Sequence, residues 1–351
     1  MKILIDGRSL SAKQTGISIY TENLIKSYQN VYGKSNVRVI VNNLSYSTKY
    51  NTINTKLQPN NFIHFILFSI LLKAQDFDLF HSPFYSSSFF KLRKKIYILT
   101  VHDLMYRIVP HFFTPNRLVN FLSVLYYDLL IKRSLKNSNW VITVSKTTQN
   151  DLLKCFGTIS TVFPEGINKL PISKKSSILE KYNIQNNNFF LYVGNSRPHK
   201  NLQFLINAFL ESKTERKLII CGTNQKFILD SPRILTLGYV LEEDLYQLYI
   251  NSSAFVFPSL YEGFGLPVLE ALDLGTKVFC SNTGALIEFS ASCVSFFDPI
   301  KKDSLIKLLE SVDSISFESD LIQNELKKYD WVNLMEVFQQ SLTTKMIAEK
   351  W

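Results

Sequence analysis

The chain lacks the devices that mark several protein classes. Its four cysteines, Cys155, Cys221, Cys280 and Cys293, form no CxxC pair and share no metal-type spacing with histidine. Buried, reduced thiols are therefore expected rather than a disulfide framework or a zinc module. The longest strongly apolar stretch, Phe62 to Leu72, is 11 residues long and contains His64 and Ser69, too short to span a bilayer. No GxGxxG follows the first strand-like run, which argues against a dinucleotide-dependent oxidoreductase, and no GxxxxGK followed by Ser or Thr supports a P-loop enzyme. No repeat of solenoid length is evident. The opening residues Met1-Lys2-Ile3-Leu4-Ile5-Asp6-Gly7 run directly into a strand pattern without signal-peptide architecture, so a cytoplasmic location is expected. Acidic residues are comparatively scarce, 29 Asp and Glu against 39 Lys and Arg for a net charge of +10. That imbalance favours anionic partners such as nucleotide phosphates, an anionic membrane face or nucleic acid. Nucleic acid is disfavoured among these, because the basic residues are scattered and no recognised nucleic-acid module appears.

What is present fits a large α/β protein. With 351 residues and 46% hydrophobic content the chain can bury a large core, and its length favours two domains. The first half alternates β-rich runs with helical patterns. It begins with Ile3-Leu4-Ile5 and a helix near Ile17 to Tyr28 after the loop Gln14-Thr15-Gly16. Further strands read at Val37 to Val41, Leu79-Phe80, Tyr97 to Val101 and Trp140 to Val144. Their carboxyl ends carry His81-Ser82-Pro83, His102-Asp103 and Ser145, where open parallel sheets bind ligands, so both histidines are candidates. From about Asn168 to Asn188 the sequence turns polar, with Lys174-Lys175-Ser176-Ser177 and Asn186-Asn187-Asn188, and reads as a linker with one short helix. A second series follows at Phe189 to Gly194, Leu218 to Ile220, Ile234 to Leu237, Ala254 to Phe257 and Val278 to Cys280. These are continuous apolar runs, as parallel strands require. After Trp331, Leu334, Val337, Phe338 and Leu342 have helical spacing. The chain thus divides into an N-terminal domain over 1–170, a linker over 171–187, a second domain over 188–330 and a helix over 331–351 that packs back toward the first.

The most informative stretch is Tyr261-Glu262-Gly263-Phe264-Gly265-Leu266-Pro267-Val268-Leu269-Glu270, two carboxylates eight apart around a glycine turn. A buried strand precedes it, Pro267 suits the first helical position, and Gly275 stops the helix. Gly263 and Gly265 allow close backbone approach to a ligand, and the free N–H groups of the helix start favour a diphosphate. Glu270, about one turn inside, is placed to accept two hydrogen bonds from a ribose diol, and Glu262, before the helix, is free to meet a sugar. A second loop, Gly194-Asn195-Ser196-Arg197-Pro198-His199-Lys200-Asn201, follows a strand and precedes the helical run Leu202 to Leu210. Arg197 with its planar fork and Lys200 with its point charge could clamp a pyrophosphate and offset charge on a departing nucleotide diphosphate. Gly238-Tyr239-Val240 suits contacts to a base, with Tyr239 stacking. Asp76-Phe77-Asp78 matches the metal-holding DxD pattern but lies before its strand rather than after it, and no metal is expected. Basic clusters occur at Lys91-Leu92-Arg93-Lys94-Lys95 and at Lys132-Arg133, the latter ending an aromatic-rich helical stretch from Leu118 to Ile131. Two readings of that stretch stand side by side: a membrane-surface contact, or a buried helix with a solvated basic end.

Glu262 and Glu270 in an E-x7-E arrangement, the Gly194 to Asn201 loop and the His102-Asp103 pair together resemble the family-four retaining glycosyltransferases of GT-B fold. Val101-His102-Asp103-Leu104, Val141-Ile142-Thr143-Val144-Ser145, Tyr192-Val193-Gly194 and Phe257 to Pro267 are similar to family segments in family order across nearly the whole chain. The resemblance implies two Rossmann-like parallel-sheet domains facing a central cleft, the second holding the nucleotide and the first the acceptor. It implies that Glu270 binds ribose, that Gly263, Phe264, Gly265 and Leu266 meet the sugar-phosphate end, and that Arg197 and Lys200 meet the diphosphate. Glu262 would hold donor-sugar hydroxyls, Gly16 would approach the diphosphate, and His102, beside Asp103, would line the reacting centre. His102, Glu262 and Lys200 are the residues assigned to catalysis. Family members retain anomeric configuration, generally without a metal, by front-side attack assisted by the leaving phosphate, so no conventional general base is named.

Two departures stand out. Many members carry Arg directly after the glycine matching Gly194, where this chain has Asn195, and Pro164-Glu165-Gly166-Ile167-Asn168 stands where the family often has Asn-Gly-Val-Asp. The expected activity is transfer of a hexose, mannose-like by general similarity, to a lipid-linked saccharide in O-antigen or capsule biosynthesis. The expected donor is a nucleotide diphosphate sugar, GDP-linked ahead of UDP-linked, with no separate cofactor. The expected location is cytoplasmic or peripheral on the inner face of the cytoplasmic membrane. The alternatives are a GT-B nucleotide-sugar epimerase and a non-catalytic basic protein that binds anionic lipid or nucleic acid.

Overall fold

The computed structural model describes residues 1–10, 15–172, 176–223 and 231–348. Gln14 of the first loop, Lys174 and Lys175 of the polar stretch and the last three residues of the C-terminal segment lie outside the described residues. The chain forms two compact units, Met1–Gly166 with Asp330–Trp351, and Ile167–Tyr329.

The first unit is built on a sheet of seven strands: β1 (Ile3–Asp6), β2 (Val37–Val41), β3 (Thr52–Asn54), β4 (Leu79–Ser82), β5 (Ile96–Val101), β6 (Trp140–Thr143) and β7 (Thr161–Val162). All pairings are parallel, in the order β3-β2-β1-β4-β5-β6-β7. The central strands β1, β4, β5 and β6 are buried along their whole length, which is why they begin as apolar runs, with polar residues such as Asp6, His81 and Ser82 at their carboxyl ends. The edge strands β3 and β7 are short and polar, and only their pairing to β2 and β6 defines them.

The helix Trp331–Ala348 completes this unit's core. Phe338 is fully buried, stacked on Trp140 at 5.0 Å and packed against Phe163 at 5.3 Å, Tyr28 at 5.7 Å and His81 at 6.2 Å. Met335 joins Leu334, Phe338 and Leu342 on the inner face, whereas Val337, expected there, is 56% exposed. At 100° per residue Leu334, Met335, Phe338 and Leu342 share an arc of about 100°, and Val337 falls roughly 60° beyond its edge. His81, weighed as a ligand-facing residue, is a core histidine instead. Its Nδ1 pairs with the Tyr28 hydroxyl at 2.9 Å and its Nε2 with Thr100 Oγ1 at 2.8 Å. Burial, with a smaller contribution from His102, pushes its pKa down to about 3 and keeps the ring neutral.

The second unit carries six parallel strands: β8 (Phe189–Val193), β9 (Lys217–Cys221), β10 (Ile234–Gly238), β11 (Ala254–Phe257), β12 (Val278–Ser281) and β13 (Ser295–Phe297). Their order is β10-β9-β8-β11-β12-β13. The polar stretch expected as a linker over 171–187 belongs to this unit, because Ile178, on the turn Ile178–Lys181, and Ile184 are buried in it. Cys221, Cys280 and Cys293 are buried free thiols, and Cys155 is half-buried. Asp76 and Asp78 both bond to Lys2, by its ammonium and its backbone N–H respectively. No helix among the described residues is long and apolar enough to cross a membrane.

Phe338→Ala should lower the unfolding free energy by about 3–5 kcal/mol, and Val337→Ala should change it by less than about 0.5 kcal/mol. Urea titrations of both variants check the difference.

Candidate active site

In each sheet the strand order reverses once, between β1 and β4 and between β8 and β11. Loops leaving the two strands at such a point diverge and leave room for a ligand at their carboxyl ends. In the second unit those loops are Gly194–Asn201 after β8 and Pro258–Gly265 after β11.

The β8 loop is held by its own polar groups. The Tyr192 hydroxyl donates to the Asn195 carbonyl at 2.7 Å, and Asn195 Oδ1 accepts the Arg197 N–H at 3.1 Å. The residue that departs from the family pattern therefore shapes the loop that presents Arg197, an exposed side chain. Gly222, at φ +89°, presses on this loop, and a Cβ there would lie 2.8 Å from the Gly194 carbonyl oxygen. Pro198–Lys200 form a single 3-10 turn, closed by Asn201 at φ 53°. The Leu260 N–H donates to the His199 carbonyl at 2.7 Å and joins this loop to the next. Burial pushes the His199 imidazole down to about 4 against the opposing pull of Glu262, so near neutral pH that ring is uncharged.

The β11 loop brings in Glu262. Lys200 Nζ lies 2.6 Å from Glu262 Oε1 and 4.9 Å over the Phe257 ring, with the two side chains 15% and 11% exposed. The pair is largely desolvated, so each charge depends on the other or on a ligand that replaces it. Gly284, after β12, lies against the same residue, where a Cβ would sit 3.1 Å from the Glu262 nitrogen.

Gly265 caps the helix Leu266–Asp273, with Pro267 in its first turn. Its φ is +131°, and the place of a Cβ is taken by Leu286 at 2.9 Å and Phe289 at 3.1 Å. Glycine is thus required at 265 by backbone conformation and internal packing, a different reason from the ligand approach expected of it.

Glu270 lies one turn along this helix and is buried. Its Oε1 accepts from Asn168 Nδ2 at 3.2 Å and its Oε2 from the Tyr249 hydroxyl at 3.4 Å. Burial raises its pKa from 4.5 to about 7, with Asn168 and Tyr249 pulling the other way. Tyr239, exposed, and Val240 follow the outer strand β10, two strands away from β8.

In the first unit His102 and Asp103 follow β5. His102 Nδ1 lies 2.6 Å from Glu165 Oε1, and both side chains are buried. A carboxylate only accepts, so Nδ1 carries the hydrogen and donates. Nε2 is buried without a hydrogen-bond partner among the described residues, and Tyr20 packs edge-on at 4.7 Å. Asp103 Oδ1 accepts from the Met105 N–H at 2.8 Å and the Tyr85 hydroxyl at 3.0 Å. Gly16 opens the helix Gly16–Tyr32, capped by the Thr15 hydroxyl on the Ser18 N–H.

The family profile described as Glycosyltransferase Family 4 matches residues 16–169. The profile described as Glycosyl transferases group 1 matches residues 174–324. The chain belongs to the group 1 glycosyltransferases. This glycosyltransferase is 28% identical over 261 residues to the O-antigen chain mannosyltransferase B of Escherichia coli, a match that covers 67% of each chain. Its fold is similar to sucrose-phosphate synthase from Thermosynechococcus elongatus, at a TM-score of 0.76 and 17% identity over 99% of this chain and 100% of that one. It is likewise similar to Anabaena HepE, solved in complex with UDP and glucose, at a TM-score of 0.74 and 15% identity over 98% of this chain and 100% of that one. The fold is GT-B, with two Rossmann-like parallel-sheet domains.

Sequence reasoning missed Glu165, Asn168 and Tyr249 as partners of site residues. The first two stand in the segment that departs from the family pattern, but their partners lie 63 and 102 residues away and carry no local signal.

Two outcomes are expected. The folded pKa of Glu270 lies above its unfolded value, so its favourable contribution is complete below about pH 4.5 and is lost as pH rises to about 7. The loss amounts to about 3 kcal/mol. Stability curves of wild type and Glu270→Gln should therefore diverge in the variant's favour across that window and run parallel above it. Glu165→Ala strands the His102 imidazole and should cost about 1–3 kcal/mol in a denaturant titration.

Proposed function

We propose that this glycosyltransferase transfers a hexose, with mannose the first sugar to test, from a nucleotide diphosphate sugar to a lipid-linked saccharide during assembly of a bacterial surface polysaccharide. The observation that carries the reading is the Lys200–Glu262 contact at the strand-order reversal, one loop before the helix that holds Glu270. A diphosphate above that helix start would meet backbone N–H groups, Lys200 and Arg197. Its arrival would give Lys200 a second anionic partner and release Glu262 toward donor-sugar hydroxyls. Gly263, Phe264, Gly265 and Leu266 would line the sugar-phosphate end. Glu270 would accept from the ribose diol, and Tyr239 with Val240 would contact the base. In the first unit His102 Nε2, buried without a partner among the described residues, would bind a sugar hydroxyl.

The chemistry is transfer with retention. The bond from the anomeric carbon to the diphosphate oxygen breaks as the bond to the acceptor oxygen forms on the same face, and the acceptor proton passes to the leaving phosphate. Lys200 and Arg197 would stabilise the charge that develops on that phosphate. The similarity to an O-antigen chain mannosyltransferase supports mannose and a surface-polysaccharide product. The likeness to a fold solved with UDP keeps a UDP-linked donor beside the GDP-linked one.

Thermal unfolding with GDP, UDP, ADP and dTDP should show an upward shift selective for one nucleotide. A ligand at about 100 times its Kd adds roughly 2.7 kcal/mol. In a transfer assay with the matching donor, Lys200→Ala and Glu270→Ala should each lower the rate by more than about tenfold, roughly 1.4 kcal/mol of barrier. Transfer within that range by either variant would remove the site assignment.

A further inference from the structure

The helix Arg117–Asn137 turns a row of large apolar side chains to solvent. Leu118, Phe121, Leu122, Leu125 and Leu129 recur at helical spacing and are 49–67% exposed. The same row continues into exposed Lys132 and Lys136. Soluble helices normally turn such a row inward. A second helix, Phe62–Lys73, presents exposed Ile63, Leu67 and Ile70.

The two helices share one face. The Tyr126 hydroxyl donates to the Asn60 carbonyl at 2.8 Å. Phe89 packs edge-on against Phe62 and Phe65, while its carbonyl accepts from Arg133 at 2.7 Å and from Asn137 at 2.8 Å. The chain then emerges at Phe90, 48% exposed, and runs into exposed Lys91, Arg93 and Lys94. Between residues 79 and 137 there are nine Lys or Arg and two acids. Of those acids, Asp128 is buried in a bidentate pair with Arg107, and Asp103 is half-buried.

Apolar side chains over two neighbouring helices, bordered by cations, match the layered chemistry of an anionic bilayer; the exposed carboxylates that follow the second helix, Asp76 and Asp78, are both bonded to Lys2. Leucine and phenylalanine enter the acyl boundary while Lys and Arg stay at the phosphates. We propose that this face docks the chain on an anionic lipid surface. A second copy of the face is a poorer occupant, because it would bring like-charged rims together. The proposal rests on the lipid-linked acceptor reading for its purpose, but the lipid contact itself requires no sugar substrate.

The test is sedimentation of the full chain with vesicles of phosphatidylglycerol and phosphatidylethanolamine, and with vesicles of phosphatidylcholine alone. The anionic vesicles should bind it at least about tenfold more tightly, since each Lys or Arg near such a surface contributes roughly fivefold. Phe121→Glu with Leu125→Glu should abolish binding to both vesicle types, and Arg93→Glu with Lys94→Glu should remove the preference for anionic lipid. All these residues are exposed, so unfolding midpoints should match wild type. Wild-type partitioning by the Phe121/Leu125 variant would overturn the proposal. So would failure of the wild type to bind any vesicle, or a dimer abolished by that variant without vesicle binding. Nucleotide-dependent stabilisation measured on the same samples separates the two readings. Its loss with vesicle binding intact removes the donor site and leaves the docking face, and the converse leaves the enzyme and removes the face.

Discussion

A strand in a parallel sheet can be joined to its neighbour only by a crossover that returns over a face of the sheet, and both sheets of this chain are covered by such crossovers. Polar chemistry is then confined to the loops at the strands' carboxyl ends, and the reversal of strand order decides where those loops part. Both reversals hold an ion pair, of different kinds. In the first unit Arg8 forks onto Asp6, with Nε on Oδ1 at 2.8 Å and Nη2 on Oδ2 at 2.7 Å, lies 3.4 Å over the Phe68 ring and is sealed from solvent. In the second, one Lys200 nitrogen meets one Glu262 oxygen at a partly open position. The fork is bidentate and stacked, so a ligand has little to gain by breaking it. The point contact can exchange partners.

Burial sets the charge state around these pairs. His81 and His199 are both driven to the neutral form by desolvation, which leaves Lys200 and Arg197 as the cations of the β8 loop. Desolvation acts in the opposite sense on Glu270, holding a proton on a carboxyl that ribose hydroxyls would prefer ionised. Asn168 and Tyr249 already lean toward the ionised form, so a diol donating two further hydrogen bonds completes a trend the protein has begun.

Much of this is legible in the sequence, and the failures share a cause. The central strands announce themselves because burial on both faces leaves an apolar run. Glu262 and Glu270 stand out because they flank a glycine turn and Pro267, a helix start written in local composition. The edge strands β3, β7 and β13 escape, since Thr52–Asn54, Thr161–Val162 and Ser295–Phe297 owe their conformation to a neighbour rather than to their own composition. Val337 misleads because its spacing admits it to an apolar stripe that in fact extends the other way, from Leu334 through Phe338 and Leu342 to Met335. The partners of His102 and Glu270 are hidden by sequence distance, although Glu165 and Asn168 are visible as departures from the family pattern.

The second unit is an insertion in the first, lying between β7 and the helix that carries Phe338. During synthesis the chain therefore presents all seven strands of the first sheet before the residue that plugs Tyr28, His81, Trp140 and Phe163 has been made. The inserted unit, continuous in sequence, can close its own core on the ribosome first. The core of the first unit is thus the last to have all its residues available, because it is completed by the helix that follows the insertion.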